Sequence, residues 1–348
     1  MSEPLPAPDR RTGRRRIVGG GERHIVGKVR DGAVRVGVLL GICLALAAGG
    51  VLVWGQLRAV ASHRADGDPA RGSYLQDPER ADRTAADVLD GIASEAEDPP
   101  TDAAAFARTE SGSDASGSPA PVRWADGGWR PSSPLRARTT ASEPAIGALF
   151  SPGNDWDADH HCSASVVHSP DGDLIATAAH CVYQDGFRTN LAFVPGYRDG
   201  KAPYGVWVPS RVDVDPRWTR SADPDHDVAF LRLRRPGHPG ERLEDVTGAL
   251  TIRFRPQLPL PARLVGYPND TEQPLDCYNT ARPEGPTQLR LDCADVPNGT
   301  SGGPVLTDGS TLIGVIGGRD GGGDETTSYS SWFDDSVHAL YTRATGGR

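Results

Sequence analysis

The second half of this 348-residue sequence predicts an all-β domain, a sandwich or a pair of barrels, closed by a helix. Short apolar or β-branched runs recur at hairpin spacing after Ala145, with Gly, Pro, Asn and Asp between them. They cover Ser163 to His168, Leu174 to Ala178, Leu191 to Val194, Val206 to Val208, Val228 to Leu233, Arg263 to Val265, Leu289 to Leu291, Pro304 to Leu306 and Thr311 to Ile316. Near the end, Val337, Leu340 and Tyr341 are spaced three and four apart, so residues Asp334 to Arg343 read as a closing helix. About 200 residues of this texture suffice to bury a core.

Ahead of that domain, residues 1–35 form a basic segment that includes Arg10, Arg11, Arg14, Arg15, Arg16, Arg23, Lys28, Arg30 and Arg35. Val36 to Trp54 is an unbroken run of apolar and small residues, close to the ~20 needed to cross a bilayer as a helix. Residues 36–55 therefore read as a transmembrane anchor, with the basic flank kept in the cytoplasm and the C-terminal bulk outside the cell. A cleaved signal peptide is the alternative, because Ala59-Val60-Ala61 offers a cleavage site that would release a secreted protein. The run is longer than the roughly 7–15 residues of a signal core, which favours the anchor. Residues 56–142 are rich in Ala, Asp, Glu, Arg, Ser and Pro without a sustained apolar period, and are expected to be a disordered linker. Within it, Ala85 to Ile92 could form a short helix. Residues 143–348 are the folded domain.

The formal net charge of −9 and the scattered basic residues of the C-terminal half exclude a nucleic-acid surface. Lysine occurs only as Lys28 and Lys201 among many arginines, a composition of bacterial type. Cys43 falls in the apolar run, which leaves Cys162, Cys181, Cys277 and Cys293 on the oxidising side. Four cysteines allow three pairings.

Three stretches carry chemistry. In Asn298-Gly299-Thr300-Ser301-Gly302-Gly303-Pro304 the glycines let the backbone turn tightly around a serine and aim N–H groups at one point. Ser301 is the candidate nucleophile, and the amides of Gly299 and Ser301 are the candidate oxyanion donors. His180, in Thr177-Ala178-Ala179-His180-Cys181, follows an apolar strand and is the candidate base. Asp227 opens the apolar run Val228 to Leu233, where a buried carboxylate needs a partner.

Taken in this order, TAAHC, DHDVAFLRL and GTSGGPV resemble the active-site blocks of the chymotrypsin/trypsin superfamily of serine proteases, in the style of bacterial trypsin-like and glutamyl-endopeptidase members. The similarity spans about Ala145 to Arg343. It implies two six-stranded antiparallel β-barrels with the site between them, and a His180–Asp227–Ser301 triad that cleaves peptide bonds through an acyl-enzyme. It further implies disulfides Cys162–Cys181 and Cys277–Cys293, a protein or peptide substrate, no cofactor or metal, and a monomer. Ile316, Gly317 and Gly318 would pair with the substrate backbone. Asp295, six residues before Ser301, would sit at the base of a pocket for Arg or Lys, or, because Pro297 replaces a cysteine of animal trypsins, on the surface. Thr300 stands where animal relatives carry the aspartate that pairs with a new N-terminus, so activation by that ion pair is not expected. The competing reading is an inactive protease-like module that binds a partner.

Two other motifs are set aside. Gly299 to Gly303 also fits the G-x-S-x-G elbow of α/β-hydrolases, but too little chain follows Ser301 for the remainder of that fold. A zinc site from His160, His161, Cys162, His180 and Cys181 is conceivable by ligand type, yet exported cysteines pair.

Overall fold

The computed structural model describes residues 63–95, 129–153 and 160–346. The basic segment, the apolar run 36–54, Cys43 and residues 96–128 lie outside them. Among the described residues no helix is long and apolar enough to cross a membrane.

Before the domain come strands β1 (Arg64–Ala65) and β2 (Ser73–Leu75) and helix α1 (Pro78–Glu95). Next are β3 (Arg138–Thr139), β4 (Ile146–Phe150), β5 (His160–Val167), β6 (Leu174–Thr177), β7 (Phe187–Arg188), β8 (Ala192–Pro195), β9 (Val208–Val214), helix α2 (Pro216–Ser221) and β10 (Ala229–Arg234). The second half holds helix α3 (Leu243–Thr247), β11 (Thr251–Ile252), β12 (Leu260–Gly266), β13 (Leu275–Glu284), β14 (Gln288–Asp292), β15 (Pro304–Thr307), β16 (Thr311–Val315), β17 (Thr327–Ser331) and helix α4 (Asp335–Ala344).

The first sheet runs β2-β9-β10-β6-β5-β4-β8. It curls until Phe193 of β8 and Trp207, just ahead of β9, exchange backbone hydrogen bonds of 2.7 and 2.9 Å. The second runs β11-β16-β15-β12-β13-β14-β17, with β3 added to β13. It returns on itself where the Gly317 N–H, following β16, meets the Tyr329 carbonyl of β17 at 3.0 Å. Two six-stranded sets, β4 to β6 with β8 to β10 and β12 to β17, thus form the expected pair of curled sheets. β2, β3 and β11 extend their edges.

Period-two patterning drives this arrangement. In β10, Ala229, Leu231 and Leu233 enter the first sheet's core beside Ile175 and Val212. Phe230 points the other way and meets Tyr341 of α4 edge-on, with ring centroids 5.7 Å apart. The second sheet buries Leu264, Leu289, Leu291, Val305 and Ile313. Helix α4 starts where expected, because the Asp334 carboxylate caps the N–H groups of Ser336 and Val337.

The linker expectation for 56–142 fails at residues 63–95. β2 pairs with β9, and α1 buries Ala81, Ala85, Val88 and Ile92 at spacings of four, three and four. Asp82 of that helix binds Arg234 at 2.7 Å. An alanine-rich stripe between exposed charges carries enough apolar surface to dock, although its composition reads as unfolded.

Candidate active site

His180 sits in a 3-10 turn, Ala179–Cys181, immediately after β6. The turn is pinned by the Cys162–Cys181 disulfide to β5, and Cys277–Cys293 braces the second sheet, as the resemblance implied. This bond also uses the two sulfurs that a zinc site beside His180 would require. His160 instead lies buried among Phe150, Tyr197 and Tyr267, with Nε2 3.2 Å from the Thr271 carbonyl.

Asp227 is fully buried, and its carboxylate accepts three N–H groups. His180 Nδ1 lies at 2.7 Å, the His180 amide at 2.9 Å and the Gly318 amide at 2.8 Å. A carboxylate only accepts here, so Nδ1 carries the proton and Nε2 is left as the basic nitrogen. Burial alone would lower the His180 pKa, but the charge and hydrogen bond of Asp227 outweigh it and hold the imidazole above its ordinary value. Burial would likewise raise Asp227, and the His180 charge and these hydrogen bonds bring it below the ordinary range.

Ser301 lines a cleft with His180, Gly299, Asn298, Asn269, Cys162 and Arg188. The loop around it can form only with glycine at two points. Gly299 has φ +93°, and a Cβ there would lie 2.2 Å from the Asn269 nitrogen. Gly302 has φ +79°, and a Cβ would lie 2.0 Å from the Thr177 hydroxyl.

Peptide planarity then sets the direction of the donors, because N–H and C=O of one unit point opposite ways. The Asn298 carbonyl accepts from Asn269 at 3.0 Å, and the Thr300 carbonyl accepts from Gly303 at 2.9 Å. The Gly299 and Ser301 N–H groups, which share those planes, are turned away from these bonds. Neither has an acceptor among the described residues. Thr300 itself closes onto the Pro297 carbonyl through its hydroxyl at 2.7 Å.

Sequence reasoning missed Ser163, the residue that clamps this loop. Its hydroxyl accepts the Tyr267 N–H at 2.7 Å and donates to the Gly299 carbonyl at 2.9 Å, while its own amide donates to the Ser301 carbonyl at 2.7 Å. Ser331 was missed as well; its hydroxyl accepts the Asp227 N–H at 3.0 Å. No sequence signal marks either one, since both act across contacts between distant strands.

The four residues assigned to substrate binding are placed differently. Asp295 is exposed, with φ +60°, its carboxylate meets Arg136 at 2.5 Å, and it is not among the residues that line the cleft. This is the surface alternative, and an arginine already neutralises the charge. Ile316, Gly317 and Gly318 are buried, and their N–H groups are bonded to Gly303, Tyr329 and Asp227. The Gly317 carbonyl, by contrast, has no donor among the described residues.

Residues 162–315 match the family described as trypsin-like peptidase domain. Protease Anisep from Arthrobacter nicotinovorans is similar in structure, with TM-score 0.54 and 23% identity over 61% of this chain and 100% of that one. The thermostable serine protease AL20 from an extremophilic microorganism gives 0.52 and 26% over 59% and 99%, and a Glu endopeptidase gives 0.50 and 16% over 61% and 97%. No curated protein matches the chain. Residues 162–315 thus belong to the trypsin-like peptidases, and the two curled sheets with their closing helix are the fold of the chymotrypsin-like serine proteases.

Proposed function

We propose that the domain is an exported serine endopeptidase that works through an acyl-enzyme. The observation that carries this reading is the pair of N–H groups without acceptors among the described residues, on Gly299 and Ser301, in the same cleft as a carboxylate-oriented histidine and a serine hydroxyl. Ser301 Oγ attacks the peptide carbonyl as His180 Nε2 takes its proton. Asp227 keeps the proton on Nδ1 and stabilises the imidazolium. The developing oxyanion is met by the Gly299 and Ser301 amides. His180 then returns the proton to the departing amine, and water, activated by the same nitrogen, releases the acyl group. These steps need no cofactor.

Export rests on the two disulfides, which suit an oxidising compartment, and on the apolar run 36–54 behind a basic flank, read as a membrane tether. The test is fluorophosphonate labelling of the native chain and of Ser301→Ala, with folding checked by circular dichroism. Native labelling that vanishes in the folded variant is expected. A native chain that resists the probe, or a variant that still reacts, overturns the assignment and favours a binding module.

A further inference from the structure

The cleft beside Ser301 contains a cation that nothing in the described chain neutralises. Arg188 lines it together with His161, Cys162, His180 and Ser301. One guanidinium nitrogen donates to the Gln184 side-chain oxygen at 3.0 Å, while Nε is buried without a hydrogen-bond partner. Arg188 takes part in none of the ion pairs among the described residues. Its cross-strand neighbour is another cation, because β1 pairs with β7 in a register that sets Arg64 opposite Arg188. Like charges directly opposite one another destabilise a sheet.

Burial, and then the charge of Arg64, push the Arg188 pKa down to about 10, so the side chain stays charged at neutral pH under unfavourable conditions. The neighbouring His161 does not share the charge. Burial and then Arg188 hold its pKa at about 3, and its Nε2 lies 2.9 Å from the Cys181 carbonyl. A half-buried arginine that lacks an anion, next to the reacting serine, gains most from a ligand that supplies one.

The side of the scissile bond follows from the chemistry. His180 must hand its proton to the departing amine, so the departing segment leaves across the wall that holds His180. That wall continues into Cys162, His161 and Arg188, whereas Ile316, Gly317 and Gly318 are not among the residues lining the cleft. We propose that Arg188 anchors a leaving-side subsite for a carboxylate, either an Asp or Glu side chain just after the scissile bond or the free C-terminus of a short departing peptide. This rests on the endopeptidase reading above.

The experiment uses the full-length chain and peptide pools with identical randomised acyl sides. One pair of pools carries Glu or Gln at the first two leaving positions. A second pair ends two residues after the cut in a free carboxylate or a carboxamide. The acidic member of at least one pair is expected to be cleaved about tenfold faster in kcat/KM, a ratio that falls toward one in Arg188→Gln and is partly kept in Arg188→Lys. The pair that responds identifies the source of the carboxylate. Fluorophosphonate labelling of the native chain is run first. Its absence removes the endopeptidase reading and this subsite with it. Labelling together with equal cleavage within both pairs overturns the subsite alone, as does a ratio unchanged in Arg188→Gln. If that variant does not fold, the native ratio still decides.

Discussion

Ser163→Ala tests how far the oxyanion geometry depends on a residue outside the triad. The change deletes one hydroxyl and leaves two buried partners, the Tyr267 N–H and the Gly299 carbonyl, without their bonds of 2.7 and 2.9 Å. A buried polar group that loses its partner costs about 1–3 kcal/mol, so two of them give a destabilisation of about 2–6 kcal/mol. The catalytic effect has a separate origin. The Ser163 hydroxyl holds the peptide plane between Gly299 and Thr300, next to the plane that carries the Gly299 N–H, and Gly299, with φ +93° and no side chain, passes a shift of the one plane to the other. Complete loss of an oxyanion donor costs about 10²–10³ in kcat. A loosened donor is expected to cost about 10–10² in kcat with KM little changed, because the ground-state substrate gains less from that N–H than the oxyanion does. Guanidinium denaturation reads the first effect and peptide kinetics the second, under conditions where the variant is fully folded. A folded variant with native kcat would refute the clamp even if its stability fell.

Further outcomes follow from the titratable groups. Asp227→Asn should lower kcat/KM about 10⁴-fold, since the amide no longer enforces the Nδ1–H tautomer. In the native protein kcat/KM should rise with pH through an ionisation above the ordinary histidine value of 6.5, because the neutral imidazole is the active form and Asp227 raises its pKa. An apparent pKa at or below that value refutes the coupling. His160 tests burial instead: burial lowers its pKa from 6.5 to about 4, so its contribution to stability is present above pH 6.5 and is lost as pH falls toward 4. Between pH 8 and 5 this amounts to about 2 kcal/mol, which His160→Phe should remove from the pH slope. His180, with a raised pKa, acts in the opposite sense in both proteins and cancels in that comparison. A stability difference between the two proteins that does not vary with pH contradicts the burial account.

The blocks around His180, Asp227 and Ser301 were legible because each keeps its spacing in one dimension, whereas the two disulfide pairings came only with the family resemblance. The strands were legible where one face is strongly apolar, as in Leu174–Thr177 or Ala229–Arg234. β13 was not, since Asp276, Tyr278, Thr280 and Arg282 alternate with Cys277 and Ala281 and dilute the pattern. Helix α1 was hidden for the opposite reason. Its buried stripe is half alanine, which is weakly hydrophobic on any scale, and its value becomes apparent only against the first sheet. Ser163 and Arg188 are invisible for a third reason. Their meaning lies in what distant stretches of the chain place beside them, the Gly299 carbonyl 136 residues from Ser163 and the Ser301 cleft around Arg188, and no local signal encodes an encounter of that range.

The buried Asp227 carboxylate joins both halves of the fold, and that raises the question whether it is a structural tie and nothing more. It takes two N–H groups from His180 beside the first sheet and one from Gly318 at the end of β16 in the second, and its own N–H reaches Ser331 of β17. A structural tie would account for all four bonds. It would not account for the Gly299 and Ser301 amides, whose neighbouring carbonyls each accept a hydrogen bond while they themselves have no acceptor among the described residues. Folding satisfies backbone donors wherever the cost of leaving them unpaired is not offset. Two such donors beside a serine, held there by glycines that tolerate no side chain and by a buried hydroxyl on another strand, are more than a tie between sheets requires. The surplus is what the proposed oxyanion role requires and stability does not.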